Sequence, residues 1–196
     1  TCSNGPGALL CLELYKTTKE TAYLEKGLEL YLWTKSKIQA PDGLYLDHIK
    51  IDGTSDNTKY AYNSGTMLHS AVELFLITKE YAYLEEAQRI ADASLNFFAP
   101  LRSNGKRFYH AETPWFTAVL FRAFKALYEV DGNDIYVCSI IENLEYAWEH
   151  ARDMSGLIEN DWSGETISAS KWLLDQAAMV ELYARAALIT EINMRR

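Results

Sequence analysis

The chain has 196 residues, with 27 acidic and 19 basic side chains and a formal net charge of −8. This acidic balance argues against a nucleic-acid backbone or an anionic membrane surface as its partner. A hydrophobic fraction of 48% and a charged fraction of 23% are typical of a globular domain with a substantial core, and no apolar run approaches the roughly 20 residues of a membrane span. The three cysteines and four histidines lack disulfide-framework or metal-ligand spacing, so no metal site is predicted.

Apolar periodicity and turn signals predict seven helices along the chain. The fifth is expected to begin at Pro114, because proline suits a first helical turn and the Thr113 side chain can cap it. Alternating apolar residues and an Asp52-Gly53 turn indicate a small hairpin or packed loop in the connection over 43–59, and 155–168 reads as loop. The helices are expected over about residues 5–18, 22–38, 63–78, 83–98, 114–131, 135–152 and 170–189.

Two of the predicted helical hairpins repeat in sequence. Thr18-Lys19-Glu20 recurs as Thr78-Lys79-Glu80, and the flanking segments recur at the same interval of 60 residues (residue 18 to residue 78). A fixed period with two helices per unit is typical of stacked or ring-closed helical hairpins. The odd-numbered helices are apolar nearly all round, whereas the even-numbered ones carry charges. The odd helices are therefore expected to form an inner layer and the even helices an outer layer.

These features predict an all-α fold, an α/α toroid whose inner helices gather their ends around one cavity. A closed ring of six hairpins would need roughly 330 residues at this period. We therefore interpret residues 1–196 as a single partial domain, the later part of a larger ring. An incomplete ring leaves an apolar edge, through which the chain is expected to associate with a partner.

Polar and aromatic residues open each inner helix, and so share one rim of the predicted ring. Tyr and Trp rings stack on the apolar faces of sugars, while amides and carboxylates bond hydroxyl groups. The same residues have structural readings, because the asparagines can cap helices and the aromatic rings can belong to the core. An Asp-Gln pair inside an apolar helix needs partners wherever it is buried. The candidate binding residues are Asn4, Tyr62, Asn63, Trp115, Phe116, Asp161, Trp162, Asp175 and Gln176.

Five segments resemble glycoside hydrolase family 76, the α-1,6-mannanases and their relatives, which are built on an (α/α)6 barrel. The resemblance is carried by Ser3-Asn4-Gly5, Tyr62-Asn63-Ser64-Gly65, Thr113-Pro114-Trp115-Phe116, Asp161-Trp162-Ser163-Gly164 and Trp172-Leu173-Leu174-Asp175-Gln176-Ala177. It implies a retaining glycosidase that acts on α-mannosides and needs no metal or organic cofactor. Its implied partner is a mannan-like oligo- or polysaccharide.

Two departures from the family pattern limit what the resemblance assigns. Ser64 stands where glutamine is usual, and the chain contains no Asp-Asp pair, the family's catalytic element. The resemblance therefore implies that the catalytic carboxyl groups lie upstream of Thr1 and that this fragment alone is inactive. Asp161 and Asp175 are the fallback pair, since glycoside hydrolysis needs two placed carboxyl groups.

Two other functional classes remain open from the sequence. Another (α/α)6 sugar enzyme would need rim Arg or Lys for an acidic sugar, or paired rim histidines for an epimerase, and only His110 lies near the rim. A non-catalytic helical-repeat scaffold would instead bind along a concave groove without a focused aromatic end. The compartment is also open, because unpaired cysteines favour the cytoplasm whereas polysaccharide chemistry favours secretion.

Overall fold

The computed structural model describes residues 1–109 and 113–194, with side chains as far as residue 190. Over these residues the chain forms seven helices and one two-stranded sheet, so the predicted number of helices is confirmed. His110 lies outside the described residues. The sixth helix ends two residues earlier than predicted, and the seventh begins at Leu173 and extends to Met194. The elements are α1 Asn4–Thr18, α2 Thr21–Ile38, β1 Leu46–Ile49, β2 Ser55–Lys59, α3 Ala61–Thr78, α4 Tyr81–Phe98, α5 Pro114–Asp131, α6 Ile135–His150 and α7 Leu173–Met194.

The helices pack in the two predicted layers. In the inner layer α3 packs between α1 and α5, and α5 also packs against α7, while α2, α4 and α6 each pack on the inner helix that precedes them. Helix α3 is buried on nearly every side, as its apolar sequence predicts. The arrangement confirms an incomplete α/α toroid of antiparallel hairpins. Within the described residues, no helix combines the length and the hydropathy that crossing a bilayer requires.

Close packing between α3 and α5 depends on Gly65. A Cβ built on this residue would lie 2.9 Å from the Cα and 3.0 Å from the backbone nitrogen of Leu120. Both distances are below ordinary van der Waals contact, and backbone atoms cannot rotate away as a side chain can. Gly65 therefore sets how near the first turns of α3 and α5 approach each other, and those turns carry four of the candidate binding residues.

The sequence repeat corresponds to a repeated helix terminus. Lys19 and Lys79 follow α1 and α3 with φ of 63° and 64°, and their backbone N–H groups donate to Tyr15 O and Phe75 O. The preceding threonine in each copy accepts the backbone N–H of the following glutamate through its hydroxyl at 3.2 Å. A left-handed residue closes the last turn of a helix by satisfying a free carbonyl. The Thr-Lys-Glu repeat is thus a structural device that turns the chain from an inner to an outer helix.

A second repeated device, which the sequence analysis missed, follows every outer helix. After α2, α4 and α6 the chain makes a tight hairpin closed by one antiparallel bridge and turned by a glycine with φ between 78° and 92°. Only glycine adopts this conformation without strain. The bridges pair Gln39 with Tyr45, Leu101 with Arg107, and Arg152 with Ile158, around Gly43, Gly105 and Gly156. After α2 the chain then extends into the β1–β2 hairpin, which confirms the hairpin predicted within residues 43–59.

One local prediction is wrong. Thr113 precedes α5, but its side chain makes no capping hydrogen bond, and its buried hydroxyl oxygen has no partner within residues 1–109 and 113–190. The backbone carbonyl of Thr113 accepts the Phe116 N–H at 3.0 Å instead. Because the backbone already satisfies that N–H group, the side chain has no capping role here.

The two ends of the inner layer expose apolar side chains. Leu10 on α1 is 60% exposed, and the α7 residues Leu173, Leu174, Val180 and Leu188 are at least half exposed. Both ends of the inner layer therefore expose apolar surface.

Candidate functional site

Four aromatic rings cluster where α3 and α5 begin. The Tyr62 ring centroid lies 5.1 Å from Trp115, 4.7 Å from Phe116 and 5.8 Å from Tyr60, and the Tyr60 and Tyr62 rings are nearly parallel. Trp115 and Phe116 meet edge to face at 4.3 Å. The structure therefore brings together three residues that the sequence analysis selected from two separate segments. We call Tyr60, Tyr62, Trp115 and Phe116 the aromatic cluster.

A cleft of about 470 Å³ opens beside this cluster, on the inner side of α1, α3 and α5. Tyr62 and Trp115 form one wall, and Thr66, His69 and Arg122 lie deeper along the helices. The volume is within the range of small-molecule sites, and a largely apolar wall with a few polar groups is their usual composition. The Arg122 guanidinium is not free in this cleft, because it makes two hydrogen bonds of 2.6 Å to the Glu181 carboxylate.

A carboxylate that the sequence analysis missed holds the cluster in place. Asp47, on β1, accepts the Tyr62 hydroxyl at 3.2 Å and the Asn63 side-chain amide at 3.1 Å through one oxygen. Its other oxygen lies 2.8 Å from His48 Nδ1. Burial acts to raise the pKa of Asp47, but the hydrogen bonds from His48, Asn63 and Tyr62 outweigh it and lower that pKa. Asp47 is therefore a stable anion beside the aromatic rings.

Asn63 and Ser64 face inward rather than into the cleft. Asn63 is fully buried in the first turn of α3. Its amide nitrogen donates to Asp47, while its side-chain oxygen has no hydrogen-bond partner in the part of the chain that the structure describes. The Ser64 hydroxyl accepts the backbone N–H of Tyr45 at 3.2 Å. Ser64 thus attaches the start of the β1 hairpin to α3, and its buried position leaves it no direct contact with a ligand in the cleft. Asn4 lies in the first turn of α1, half-buried.

The remaining candidates form a second group around the loop between α6 and α7. Asp161 accepts Ser163 N and Oγ through one oxygen and Thr166 N through the other. These bonds lower the pKa of Asp161 against the opposing effect of burial. Trp162 is 2% exposed and packs its ring against Tyr109. Both side chains therefore stabilise the loop in which they lie.

Asp175 and Gln176 connect that loop to the first turn of α7. Asp175 is 2% exposed; one of its oxygens accepts the Asn160 amide at 3.2 Å, and the other has no hydrogen-bond partner among the described residues. Gln176 exchanges two hydrogen bonds with the backbone of Ile158, at 3.1 and 2.9 Å. Gln176 thus has the partners that burial requires, whereas Asp175 has a partner for only one of its two oxygens within that part of the chain. The roles of this pair and those of Asp161 and Trp162 in binding sugar stay predictions.

A charged network lies deeper on the inner helices. The Lys16 ammonium lies 3.0 Å from Glu13 and 2.7 Å from Glu73, and His69 Nε2 lies 3.8 Å from Glu73. Burial lowers the pKa of His69 to about 4 and raises that of Glu73. Glu13, His69 and Glu73 are close enough to share a cation, but the Lys16 ammonium group already lies between the two carboxylates. Glu13 and Glu73 in this network, and Glu181 in its pair with Arg122, therefore have structural roles.

Comparison with known proteins places the chain in one family. The model of glycosyl hydrolase family 76 matches residues 1–184. A crystal structure of a family 76 glycoside hydrolase from a bovine Bacteroides thetaiotaomicron strain is 34% identical, with a TM-score of 0.87 over 96% of this chain. A family 76 mannosidase from B. thetaiotaomicron VPI-5482 is 30% identical, with a TM-score of 0.89 over 98% of this chain. No curated protein matches the chain.

A third similar structure holds a ligand. It is an inactive variant of an α-1,6-mannanase from Salegentibacter sp. HEL1_6, with two consecutive aspartates replaced by alanine, in complex with an α-1,6-linked mannose tetrasaccharide. It is 28% identical, with a TM-score of 0.81 over 95% of this chain. The chain spans 43%, 55% and 58% of the lengths of these three proteins. With the family model matching nearly its whole length, the chain belongs to glycosyl hydrolase family 76.

Proposed function

We propose that the chain forms the substrate-binding rim of an α-1,6-mannanase-like enzyme that cleaves α-mannosides with retention of configuration. The observation that carries the proposal is the cleft of about 470 Å³ walled by Tyr62 and Trp115. A sugar ring stacks its C–H face on such a wall, while polar groups at the edge bond its hydroxyls. The similar mannanase that binds an α-1,6-linked tetrasaccharide supports this choice of substrate.

The catalytic carboxylates are proposed to come from residues encoded upstream of Thr1. A retaining glycosidase needs two carboxyl groups about 5–5.5 Å apart on either side of the scissile bond. The fallback pair, Asp161 and Asp175, fits this requirement poorly. Both Asp161 oxygens accept hydrogen bonds from their own loop, and Asp175 is buried against Asn160. The inactive mannanase variant, altered at two consecutive aspartates, supports an adjacent pair that this sequence does not contain.

The exposed apolar edge on α7 is proposed to be covered by further helical hairpins of the same ring. The exposed leucines of α7 supply an apolar face of the kind that inner helices bury, whereas the exposed Leu10 of α1 lines the cleft. The chain spans about half of the length of these relatives, which supports the presence of further hairpins. The 196-residue chain alone is therefore expected to turn over no substrate.

The test compares the 196-residue chain with a version extended by the residues encoded upstream of Thr1. Incubation with α-1,6-mannan should release manno-oligosaccharides only from the extended version, and proton NMR of the first product should show the α-anomer. Turnover by the shorter chain at the rate of the extended version would refute the division of labour. Release of the β-anomer would refute retention.

Paired tryptophan variants test the binding wall. In the extended version, Trp115→Leu should raise the KM for mannan, because it removes a stacking surface. Trp148→Leu serves as the matched control, since Trp148 lies on the outer helix α6 and is 44% exposed. If Trp115→Leu and Trp148→Leu change the KM for mannan equally, the cleft is not where the substrate binds.

Glycan screening separates the rival functions. A uronic-acid substrate would need a free cation in the cleft, and Arg122 is held by Glu181. Neutral α-mannosides are therefore expected to bind in preference to acidic sugars. Binding to no glycan by the extended version would leave a helical scaffold as the better description.

A further inference from the structure

The carboxylate of Asp47 connects the β1–β2 hairpin to the cleft wall. One oxygen of this side chain accepts two donors from consecutive residues of α3, the Tyr62 hydroxyl and the Asn63 amide. The second oxygen faces His48 on the solvent side.

The orientation of Tyr62 depends on a contact at its hydroxyl end. Its ring lies at the rim, next to Trp115 on the side of the cleft and Tyr60 on the other. Aromatic packing alone tolerates a range of ring tilts, whereas a hydrogen bond to a carboxylate selects one direction for the hydroxyl. The bond to Asp47 therefore fixes the plane in which the Tyr62 ring faces the cleft.

The hairpin has a contact with α3 besides Asp47, because the Tyr45 N–H donates to the Ser64 hydroxyl at its base. The two strands are held together there by the Leu46–Lys59 pairing, and the ion pair of Lys59 with Asp42 joins β2 to the preceding turn. Removing the Asp47 carboxylate therefore leaves the hairpin in place. Its main effect is to free the Tyr62 hydroxyl and the Asn63 amide.

We propose that Asp47 is a positioning residue for carbohydrate binding: its carboxylate holds Tyr62 and Asn63 so that the aromatic wall of the cleft is preformed for a sugar ring. This inference rests on the proposed function of the cleft. A preformed wall binds more tightly because the ligand does not have to order the side chains that receive it. Asp47 itself acts through Tyr62 and Asn63 rather than on the ligand.

The test measures the affinity of the extended protein for an α-1,6-linked mannose tetrasaccharide by calorimetry, under conditions in which turnover is negligible. Asp47→Ala removes the acceptor and should weaken binding about tenfold, the loss expected for one hydrogen bond to a charged group. Asp47→Asn keeps an acceptor oxygen and should restore most of the affinity. Asp52→Ala is the matched control, because Asp52 lies in the turn of the same hairpin and bonds only Thr54.

A double-mutant cycle with Tyr62→Phe separates positioning from direct contact. If Asp47 acts through the Tyr62 hydroxyl, Asp47→Ala should weaken binding clearly less in the Tyr62→Phe background than in the unaltered protein. An equal loss in both backgrounds would overturn the proposal, since it would mean that Asp47 contributes independently of that ring. No loss from Asp47→Ala would overturn it as well.

Near-ultraviolet circular dichroism tests the proposal without a ligand. The Tyr62 and Trp115 rings are close enough to couple, so freeing the tyrosine should reduce the signal of Asp47→Ala and leave that of Asp52→Ala unchanged. Should the unaltered protein bind no mannoside, the proposed function fails, but a reduced dichroism still supports the positioning of Tyr62. An unchanged spectrum would overturn the positioning even where the sugar binds.

Discussion

The contact between Gly65 and Leu120 gives a quantitative prediction about the inner layer. In Gly65→Ala the new methyl group would lie 2.9 Å from Leu120 Cα and 3.3 Å from the Val119 carbonyl carbon. These are backbone atoms of α5, so no side-chain rotation relieves the overlap. The two helices must separate at the level of the cleft wall, or the new side chain must remain compressed.

Two opposing effects set the size of the change. Alanine in place of a helical glycine gains about 1 kcal/mol of helix propensity. Overpacking a well-filled interior loses about 1–3 kcal/mol, and contact with backbone puts this site at the upper end. The net expectation is a loss of about 2 kcal/mol of unfolding free energy, or about 4–8 °C of Tm for a chain of this length.

Urea denaturation followed by circular dichroism measures this loss, with Gly7→Ala as the matched control. Gly7 is also inside an inner helix, but its added Cβ would meet only the Cδ1 atom of Leu30, at 3.3 Å. Because that side-chain end can move, Gly7→Ala should be neutral or stabilise by up to about 1 kcal/mol. If Gly65→Ala proves as stable as Gly7→Ala, the close approach of α3 and α5 does not constrain residue 65 and the reasoning is wrong.

Three further predictions concern carboxylates. The two arginines that bond Glu181 lower its pKa from 4.5 to about 2. The stabilising contribution of Glu181 is therefore complete above pH 4.5 and disappears as the pH falls toward 2. Urea midpoints across this pH window should fall less steeply in Glu181→Gln than in the unaltered protein, and parallel slopes would contradict this assignment. Glu86→Ala should lower the unfolding free energy by about 2 kcal/mol, because Glu86 is buried and bonds Arg89. Glu29→Ala, at an exposed ion pair, should change it by less than about 0.5 kcal/mol. Similar losses of unfolding free energy in urea denaturation would refute the distinction. Asp161→Asn should keep mannan hydrolysis by the extended version within about threefold, since the amide oxygen can still accept Ser163 N and Oγ and only the bond from Thr166 N is lost. A collapse of kcat would identify Asp161 as catalytic.

The helices and their two layers were predictable because their signals are long. Helix α3 carries apolar residues over four turns, and the charged faces of α2 and α4 mark the outer side without ambiguity. The positions of Tyr62 and Trp115 at the starts of inner helices likewise predicted that they share one rim. Periodicity over many residues averages out local exceptions, so these features do not depend on any one side chain.

Features that depend on one contact were not predictable in this way. Asp47 has its role because the chain folds back so that residues 62 and 63 meet it, and no spacing in the sequence announces that. The capping prediction for Thr113 was wrong because its backbone carbonyl, rather than its side chain, accepts the Phe116 N–H group. The three bridged turns were missed because a turn of a few residues resembles many others until it is seen to recur. Asp161 illustrates the same limit, since its sequence motif does not reveal that its oxygens stay within the loop.

The bridged turns after α2, α4 and α6 separate the repeated helical hairpins from the connecting segments, which differ from one repeat to the next. Each turn lies at the same point of the repeat, directly after an outer helix. The inner and outer helices of each pair pack together although the segments that follow the bridges differ. After the first turn, the extra residues form the hairpin that brings Asp47 to the cleft. Lengthening or exchanging such a segment should therefore change the shape of the cleft while the helices keep their positions. This gives a direct route for transferring specificity between proteins of this architecture.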